Sequence, residues 1–172
     1  MPRIQVNETK NKTGEMIELF GWVNARRDHG KIIFIDLRDR SGVAQIVFTP
    51  SQKEIYEQAT RLRLEWVVHI SGKVKNRPEN MVNPEIETGK IEIEPAGLEV
   101  LNESETVPFP IDTDGYDIDE DTRLKYRYVD LRRERLQKNI KLRSEFVDKA
   151  RQFLFKKGFL EIETPILSAP TP

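Results

Sequence analysis

Residues 21–48, GWVNARRDHGKIIFIDLRDRSGVAQIVF, constrain the possible fold of this chain more than any other segment. Their apolar and polar side chains alternate, which predicts three consecutive β-strands, because successive side chains of a strand lie on opposite faces. In the middle strand, Ile33, Ile35 and Leu37 fall on one face, which we predict to be the core side. Phe34 falls on the opposite face among charged residues, where a strand normally meets water. A single surface phenylalanine is common and needs no explanation by itself.

The strands on either side give Phe34 polar neighbours. Gln45 falls on the outer face of the third strand, and a Ser-Gly pair predicts the tight turn that joins this strand to the second. In the first strand, Ala25 falls on the core face and Arg26 on the outer face, with Arg27 at the strand end. Together these residues predict a surface that binds single-stranded RNA. It would offer a ring for stacking, an amide for a base edge and guanidinium groups for phosphate.

The pattern after the third strand completes a small barrel in outline. A short helix comes first, then residues 66–76 predict a fourth strand, residues 77–90 a long loop and residues 91–101 a fifth strand. Five strands with a helix between the third and the fourth are the order of an OB-fold, which binds oligonucleotides across strands two and three beside the loop between strands four and five. Another small barrel or a sandwich is the alternative, because short strands alone do not fix a topology.

Composition limits the kinds of binding site that the chain can contain and where in the cell we expect it. The chain has 172 residues and a formal net charge of −1, which argues against a nonspecific binder of polyanions. It has no cysteine, which excludes disulfides and thiolate metal sites, and its 2 histidines, His29 and His69, are too far apart in sequence to form a zinc site by themselves. No apolar run is long enough to span a membrane and no signal peptide begins the chain, so we expect a cytoplasmic protein without a membrane partner.

The period of the apolar pattern changes after an acidic stretch with Val-Pro-Phe-Pro, which we interpret as a linker. Beyond it, apolar residues at helical spacing predict a long basic helix that ends before Gly158, a suitable C-cap. Residues 159–164, FLEIET, alternate as a strand that Pro165 ends. A helix and one strand cannot bury their own apolar faces. We therefore expect this part to pack on protein absent from the chain or on a second copy of itself.

Four blocks of the chain together resemble one family. GWVNARRDHGKIIFIDLRDRSGVAQIVF, TGKIEIE, RLKYRYVDLRR and KGFLEIETPIL resemble, in the family's order, the N-terminal part of bacterial-type aspartyl-tRNA synthetases. The block RYVDLRR distinguishes the chain from the related lysyl-tRNA synthetases. The blocks RRDHG and DLRR resemble those of the asparaginyl-tRNA synthetases less well. The resemblance implies a mainly β OB-fold anticodon-binding domain over residues 1–104, a hinge over 105–130 and the start of a class II α+β catalytic domain over 131–172.

The resemblance also implies what the chain contributes and what it lacks. KGFLEIETP is similar to the first signature motif of class II synthetases, which builds their homodimer interface and ends here at Pro165. The second and third motifs, which carry the ATP chemistry, are missing, so we expect a fragment that binds the tRNA anticodon without catalysis and without a cofactor. The full-length parent is expected to use ATP and magnesium to attach aspartate to tRNA through an aspartyl-adenylate.

Three residues of the first three predicted strands match family positions that contact the anticodon. Phe34 matches the ring that stacks on the central uridine, Gln45 matches an amide on the next strand, and Arg27 matches an arginine that contacts the anticodon loop. The alternative for each is a solvated surface residue without a ligand.

Further matches lie on the fifth strand and in two loops. Glu92 matches an acid that reads the first anticodon base, and Arg77 and Asn83 lie where the family contacts the third base and its backbone. His29 resembles members that charge both aspartate tRNA and asparagine tRNA, whereas Asn80 departs from the small residue, usually glycine, of those members. We therefore predict recognition of both tRNAs, with a plain polar turn residue as the alternative for His29.

A stand-alone module is the alternative function. Such an OB-fold would bind single-stranded nucleic acid or a protein partner and would use the C-terminal helix as a dimerisation arm. The ordered set of blocks through FLEIETP favours the synthetase interpretation.

Overall fold

A computed structural model describes residues 3–166 of the chain. Its contacts divide the chain into two compact units, Met1–Val107 and Pro108–Pro172, which we describe separately. The finer predicted boundaries at residues 104 and 130 stay predictions. No helix within the described residues is long and apolar enough to cross a membrane.

The first unit is a closed barrel of five strands, β1 Met16–His29, β2 Ile32–Asp39, β3 Gly42–Phe48, β4 Val67–Asn76 and β5 Ile91–Asn102. Their order around the barrel is β1-β2-β3-β5-β4, and the pairing is antiparallel except between β3 and β5, which run parallel. Helix α1 (Lys53–Ala59) connects β3 to β4. The predicted OB-fold class is thereby confirmed, and the sandwich alternative is excluded.

Alternate residues of every strand fill the barrel interior. Ile33, Ile35 and Leu37 of β2 are buried, as their alternation predicts. Ile35 pairs with Ile46 of β3, and directly paired residues project to the same face, so both enter one core. Full burial of a large aliphatic side chain stabilises the fold by about 1.5–3 kcal/mol. The same core contains Leu19, Val23, Phe48, Val68, Ile70, Val74 and Ile93.

A β-bulge in β1 changes which of its residues face the core. The pairing of β1 with β2 shifts between Val23 and Ala25, so that Val23 pairs with Leu37 while Ala25 pairs with Asp36. The prediction that Ala25 faces the core and Arg26 the outer side was therefore wrong. One extra residue reverses the alternation of everything that follows it.

The second unit contains two short helices, α2 (Glu120–Lys125) and α3 (Arg127–Asp130), followed by the long helix α4 (Glu134–Lys156). The predicted long helix is confirmed. Gly158 ends it with a φ of +84°, a left-handed conformation that glycine adopts because it has no Cβ to clash.

Apolar side chains of α4 and of the segment after it are exposed within this unit, among them Phe146 and Phe153. The strand predicted at residues 159–164 is not formed, and residues 159–166 are irregular. A strand is defined by hydrogen bonds to a neighbouring strand, and within the part of the chain that the structure describes, no strand pairs with these residues. Pro165 lies in this irregular, exposed segment.

Candidate nucleic-acid interface

Phe34 lies on the outer face of β2, between two neighbouring strands. It pairs with Arg27 of β1 on one side and with Val47 of β3 on the other. Phe34 is half-buried, and the His29 ring contacts it edge-on, with ring centroids 5.8 Å apart and planes at 82°. A partly exposed ring on the face of a sheet is a geometry on which an unpaired base can stack.

Arg27 is held beside this ring by an ion pair with Asp36. Its Nη1 and Nη2 donate to the two carboxylate oxygens of Asp36 at 2.7 and 2.8 Å. The bulge in β1 places Arg27 on the face of Phe34, whereas the adjacent Arg26 pairs with Asp28 instead. Two parallel hydrogen bonds fix the plane of the Arg27 guanidinium as well as its position.

Gln45 extends the surface onto β3. It pairs with Asp36 across the two strands, and it is half-buried. Its amide can both donate and accept hydrogen bonds, which pairing with the edge of an unstacked base requires. The structure therefore brings Arg27, Phe34 and Gln45 onto one face of the barrel. The alternation predicts this position for Phe34 and Gln45, whereas Arg27 reaches the face through the bulge in β1.

Arg77 lies buried where the loop between β4 and β5 begins. It is 8% exposed, and its Nε donates to the carbonyl oxygen of Ile91 at 2.8 Å. Its Nη2 is buried and has no hydrogen-bond partner among residues 3–166. Burial lowers the pKa of Arg77, the charges of Glu92 and Asp36 oppose this effect, and the charge of Arg27 adds to it. A buried donor without a protein partner is a group that a ligand can satisfy.

Glu92 projects from β5 on the outer side of the barrel. It pairs with Lys75 of β4, and the next residue, Ile93, enters the core. Burial raises the pKa of Glu92 above its ordinary value, and the positive charges of Arg77 and Lys75 oppose the rise. Its carboxylate is thus a partly desolvated acceptor, suited to a hydrogen-bond donor on a ligand.

Two hydrogen bonds of Asn83 fix the backbone of the loop between β4 and β5. The Asn83 backbone N–H donates to the Gly89 carbonyl oxygen at 3.1 Å, and its side-chain Oδ1 accepts from the Glu85 backbone N–H at 2.9 Å. A Cβ on Gly89 would lie 1.7 Å from the Asn83 carbonyl oxygen, so this approach requires glycine. Asn80 is exposed in the short 3₁₀ turn Glu79–Met81 of the same loop.

Charged residues from three strands and the loop meet at this surface. Arg77 experiences the charges of Arg27, Asp36 and Glu92, which places all four in one electrostatic cluster. Sequence reasoning did not select Asp36 as part of the site. Its position two residues from Phe34 on the same face was visible in the alternation, but its pairing with Arg27 depends on the bulge.

Comparison with protein families agrees with both units. The model of the family described as OB-fold nucleic acid binding domain matches residues 17–105. The model of the family described as tRNA synthetases class II (D, K and N) matches residues 119–172.

Curated relatives match along most of the chain. A protein named aspartate–tRNA(Asp/Asn) ligase from Halothermothrix orenii is 52% identical over 160 residues, which are 92% of this chain and 27% of the relative. A protein of the same name from Rubrobacter xylanophilus is 50% identical over 162 residues, which are 94% of this chain and 27% of that relative. The chain thus spans about a quarter of the length of these relatives.

Solved structures share the fold. Asparaginyl-tRNA synthetase from Pyrococcus horikoshii, complexed with asparaginyl-adenylate, superposes with a TM-score of 0.80 at 27% identity, over 96% of this chain and 37% of that one. An aspartyl-tRNA synthetase from Entamoeba histolytica superposes with a TM-score of 0.85 over 97% of this chain and 40% of that one. Its 21% identity supports the fold alone.

Proposed function

Because this chain belongs to the family of OB-fold nucleic acid binding domains, we propose that it binds the anticodon of a tRNA across the outer face of β2 and β3. The observation that carries the proposal is the position of Phe34. It is half-exposed on the outer face, directly paired with Arg27, and two residue pairs along the β2–β3 ladder from Gln45. OB-folds bind oligonucleotides across this same region of the barrel.

Phe34 and four polar residues of the surface and its loop have separate roles in this proposal. Phe34 stacks on the central anticodon uridine, and Gln45 pairs with a base edge, because its amide carries both donors and acceptors. Glu92 accepts from the first base, and the unpartnered Nη2 of Arg77 donates to the third base or its backbone. Asn83 holds the loop that approaches the same part of the anticodon.

The test is binding of the chain to transcripts of aspartate tRNA, asparagine tRNA and a tRNA whose central anticodon base is altered. Salt is held fixed, since affinity for nucleic acid depends on it. Phe34→Ala should cost roughly 1–3 kcal/mol of binding free energy and abolish the preference for the unaltered central base. Phe20→Ala is the matched control, because Phe20 also lies outside the core but stacks on His69 at 4.3 Å.

If all transcripts bind equally and Phe34→Ala has no effect, the face of β2 and β3 does not recognise bases. The alternative function, a stand-alone OB-fold module for another nucleic acid or a protein partner, would then take its place.

For the longer protein that the chain represents in part, we propose aspartate–tRNA ligation through an aspartyl-adenylate. The relatives at 50–52% identity carry that name, and the chain covers 27% of their length. The parent would require ATP and magnesium, and we propose that this chain alone binds tRNA without catalysis. In residues 3–166 no group of three or more His, Asp or Glu side chains is placed to hold a metal ion. Aspartate-dependent exchange of pyrophosphate into ATP, measured for the parent and for this chain, tests both statements.

We also propose that the parent charges both aspartate tRNA and asparagine tRNA. His29 supports this proposal, because its ring lies against Phe34 in the hairpin between β1 and β2, and the relatives' names include both tRNAs. Asn80 is exposed in the neighbouring loop and open to a ligand. His29 therefore borders the proposed anticodon surface, and Asn80 lies in the loop that begins at Arg77.

Homodimer formation through the C-terminal part is the last element of the proposal. Phe146 of α4 is 70% exposed, and Pro165 follows in the exposed segment after the helix. Large exposed apolar surfaces mark interaction sites. Sedimentation of the chain should reveal a dimer that Phe146→Ser weakens, whereas Phe155→Ser should not, because Phe155 is also exposed but lies on the opposite side of the helix at 3.6 residues per turn. A monomeric chain at all concentrations would contradict this interface.

A further inference from the structure

We propose that Asp36 determines the selectivity of the RNA surface by fixing the Arg27 guanidinium in one orientation beside Phe34, an inference that rests on the proposed anticodon binding. Asp36 would be a positioning residue that acts on the ligand chiefly through Arg27. Its carboxylate oxygens accept from Arg27 Nη1 and Nη2 at 2.7 and 2.8 Å. The Asp36 side chain is 15% exposed and that of Arg27 46%, so the acid is the anchored partner and the arginine faces the ligand.

The bulge in β1 creates this arrangement. Arg27 pairs directly with Phe34, and Ala25 pairs directly with Asp36. A small side chain therefore lies opposite the carboxylate, and the long side chain of Arg27 reaches Asp36 along the diagonal between the two strands. Without the extra residue, the alternation would place Arg27 on the other face of β1, away from Phe34.

The ion pair changes what Arg27 can offer to RNA. A guanidinium has five N–H donors in a rigid plane, and the pairing with Asp36 uses one on each Nη. The donors that remain point in fixed directions, so Arg27 makes directed hydrogen bonds to an acceptor that stands next to the stacked base. An unpaired arginine would instead turn toward any nearby phosphate. Such a contact carries no sequence information.

The negative charge of Asp36 adds a repulsive element. It lies on the same face as Phe34 and directly opposite Gln45, so a phosphate that approaches the reading surface meets a carboxylate. Asp36 also acts electrostatically on Arg77, the second arginine of the cluster. Rejection of wrong ligands by like charge is a common source of specificity. Asp36 therefore lowers affinity for RNA in general while it preserves affinity for the correct anticodon.

The test is binding of wild type and Asp36→Asn to the aspartate tRNA transcript and to the transcript with an altered central anticodon base, across a salt series. Asp36→Asn should raise affinity for the altered transcript and lower the preference for the unaltered one by about tenfold. The freed Arg27 should steepen the salt dependence by about 0.7 in the slope of log affinity against log salt.

Asp28→Asn is the matched control. This variant also removes one negative charge. Asp28 accepts hydrogen bonds at both carboxylate oxygens, from Arg26 Nε at 3.1 Å and from Arg26 Nη2 at 2.8 Å, so its partner is Arg26 and not Arg27. This control should leave the preference unchanged. In an Arg27→Gln background, Asp36→Asn should lower the preference much less than it does in the wild-type background, because only the direct repulsion of phosphate by Asp36 is then removed. A general weakening of the fold would instead cause the same loss in both backgrounds.

Two results would overturn the inference. If Asp36→Asn leaves both the preference and the salt slope unchanged while Phe34→Ala abolishes the preference, Asp36 is not a selectivity residue and the proposed function stands. If Phe34→Ala has no effect on the preference, the proposed function fails and the inference fails with it.

Discussion

Asp130 and Arg133 form an ion pair in which both side chains are fully buried, with Arg133 Nε 2.8 Å from Asp130 Oδ1. Arg123 and Arg127 donate to the other carboxylate oxygen at 3.2 and 2.8 Å. Arg133 also donates to the Thr113 carbonyl oxygen at 2.8 Å. One acid thus organises three arginines, and one of them, Arg133, joins the segment before α2 to the start of α4.

We expect Asp130→Asn to destabilise the second unit by about 3–5 kcal/mol, because removal of one partner leaves buried guanidinium charge without compensation. Urea unfolding followed by circular dichroism at 222 nm measures this, since α2, α3 and α4 all lie in that unit. The chain's 2 tryptophans, Trp22 and Trp66, lie in the barrel unit, so their fluorescence reports the other unit separately.

Asp148→Asn is the control for this variant, because Asp148 is exposed on α4. It should leave the 222 nm transition within about 0.5 kcal/mol of wild type. An Asp130→Asn variant as stable as the control would contradict the role of the buried carboxylate.

The same site should make the second unit sensitive to acid. Burial alone would raise the pKa of Asp130, but hydrogen bonds from Arg133 and Arg123 and their positive charges outweigh it and hold the pKa below the ordinary value of 3.8. The folded state therefore holds the proton less tightly than the unfolded chain. The stabilisation is present above pH 3.8 and is lost as the pH falls toward the folded-state pKa. Asp130→Asn should lack this part of the acid transition.

Glu92→Gln should stabilise the barrel at pH 7 while it impairs recognition of the first anticodon base. Burial raises the pKa of Glu92, although the charges of Arg77 and Lys75 oppose it, so ionisation is less favourable in the folded chain than in the unfolded one. The contribution of Glu92 is thus most favourable below its ordinary pKa of 4.5 and is lost as the pH rises through the raised value. We expect a gain of at most about 1 kcal/mol after solvent screening.

Urea unfolding followed by tryptophan fluorescence at pH 7 and near pH 4 measures this gain, which should vanish at the lower pH. Glu94→Gln makes the same change on the same strand, but Glu94 is exposed and pairs with Lys75 at 2.7 Å. A gain that is equal for both variants, or independent of pH, would show that burial of Glu92 is not its cause.

The barrel was predictable because period-two alternation is a direct consequence of strand geometry. Ile33, Ile35 and Leu37 are buried where the pattern puts them, and Phe34 lies on the outer face with Gln45 close by. The helix α4 and its end at Gly158 follow equally from local rules of spacing and backbone conformation.

The failures have non-local causes. The bulge between Val23 and Ala25 reverses the faces of β1, and no single-strand pattern contains that information. The Arg27–Asp36 pair follows from the bulge and was missed with it. Residues 159–164 have the alternation of a strand, yet strand formation requires a neighbour that supplies hydrogen bonds. Prediction from sequence therefore succeeded where the period of a segment determines which face its side chains occupy, and failed where the strand pairing itself determines the result.

His29 gives the most direct test of recognition of two tRNAs. The genetic code makes the anticodons of aspartate tRNA and asparagine tRNA differ only in the third base, so the chain must tolerate either base there to bind both. His29 lies 5.8 Å from Phe34 between ring centroids, and its imidazole can both donate and accept a hydrogen bond. Leucine at this position keeps apolar contact with Phe34 but removes both hydrogen-bonding groups.

We expect His29→Leu to lower affinity for asparagine tRNA roughly 2- to 10-fold more than affinity for aspartate tRNA, the range that one net hydrogen bond provides. Dissociation constants for the two transcripts at one salt concentration measure the difference. His69→Leu is the control, because the chain's other histidine stacks on Phe20 instead. If His29→Leu lowers the affinity for both tRNAs equally, His29 only supports the Phe34 ring. A wild-type chain that binds only aspartate tRNA would contradict recognition of both tRNAs.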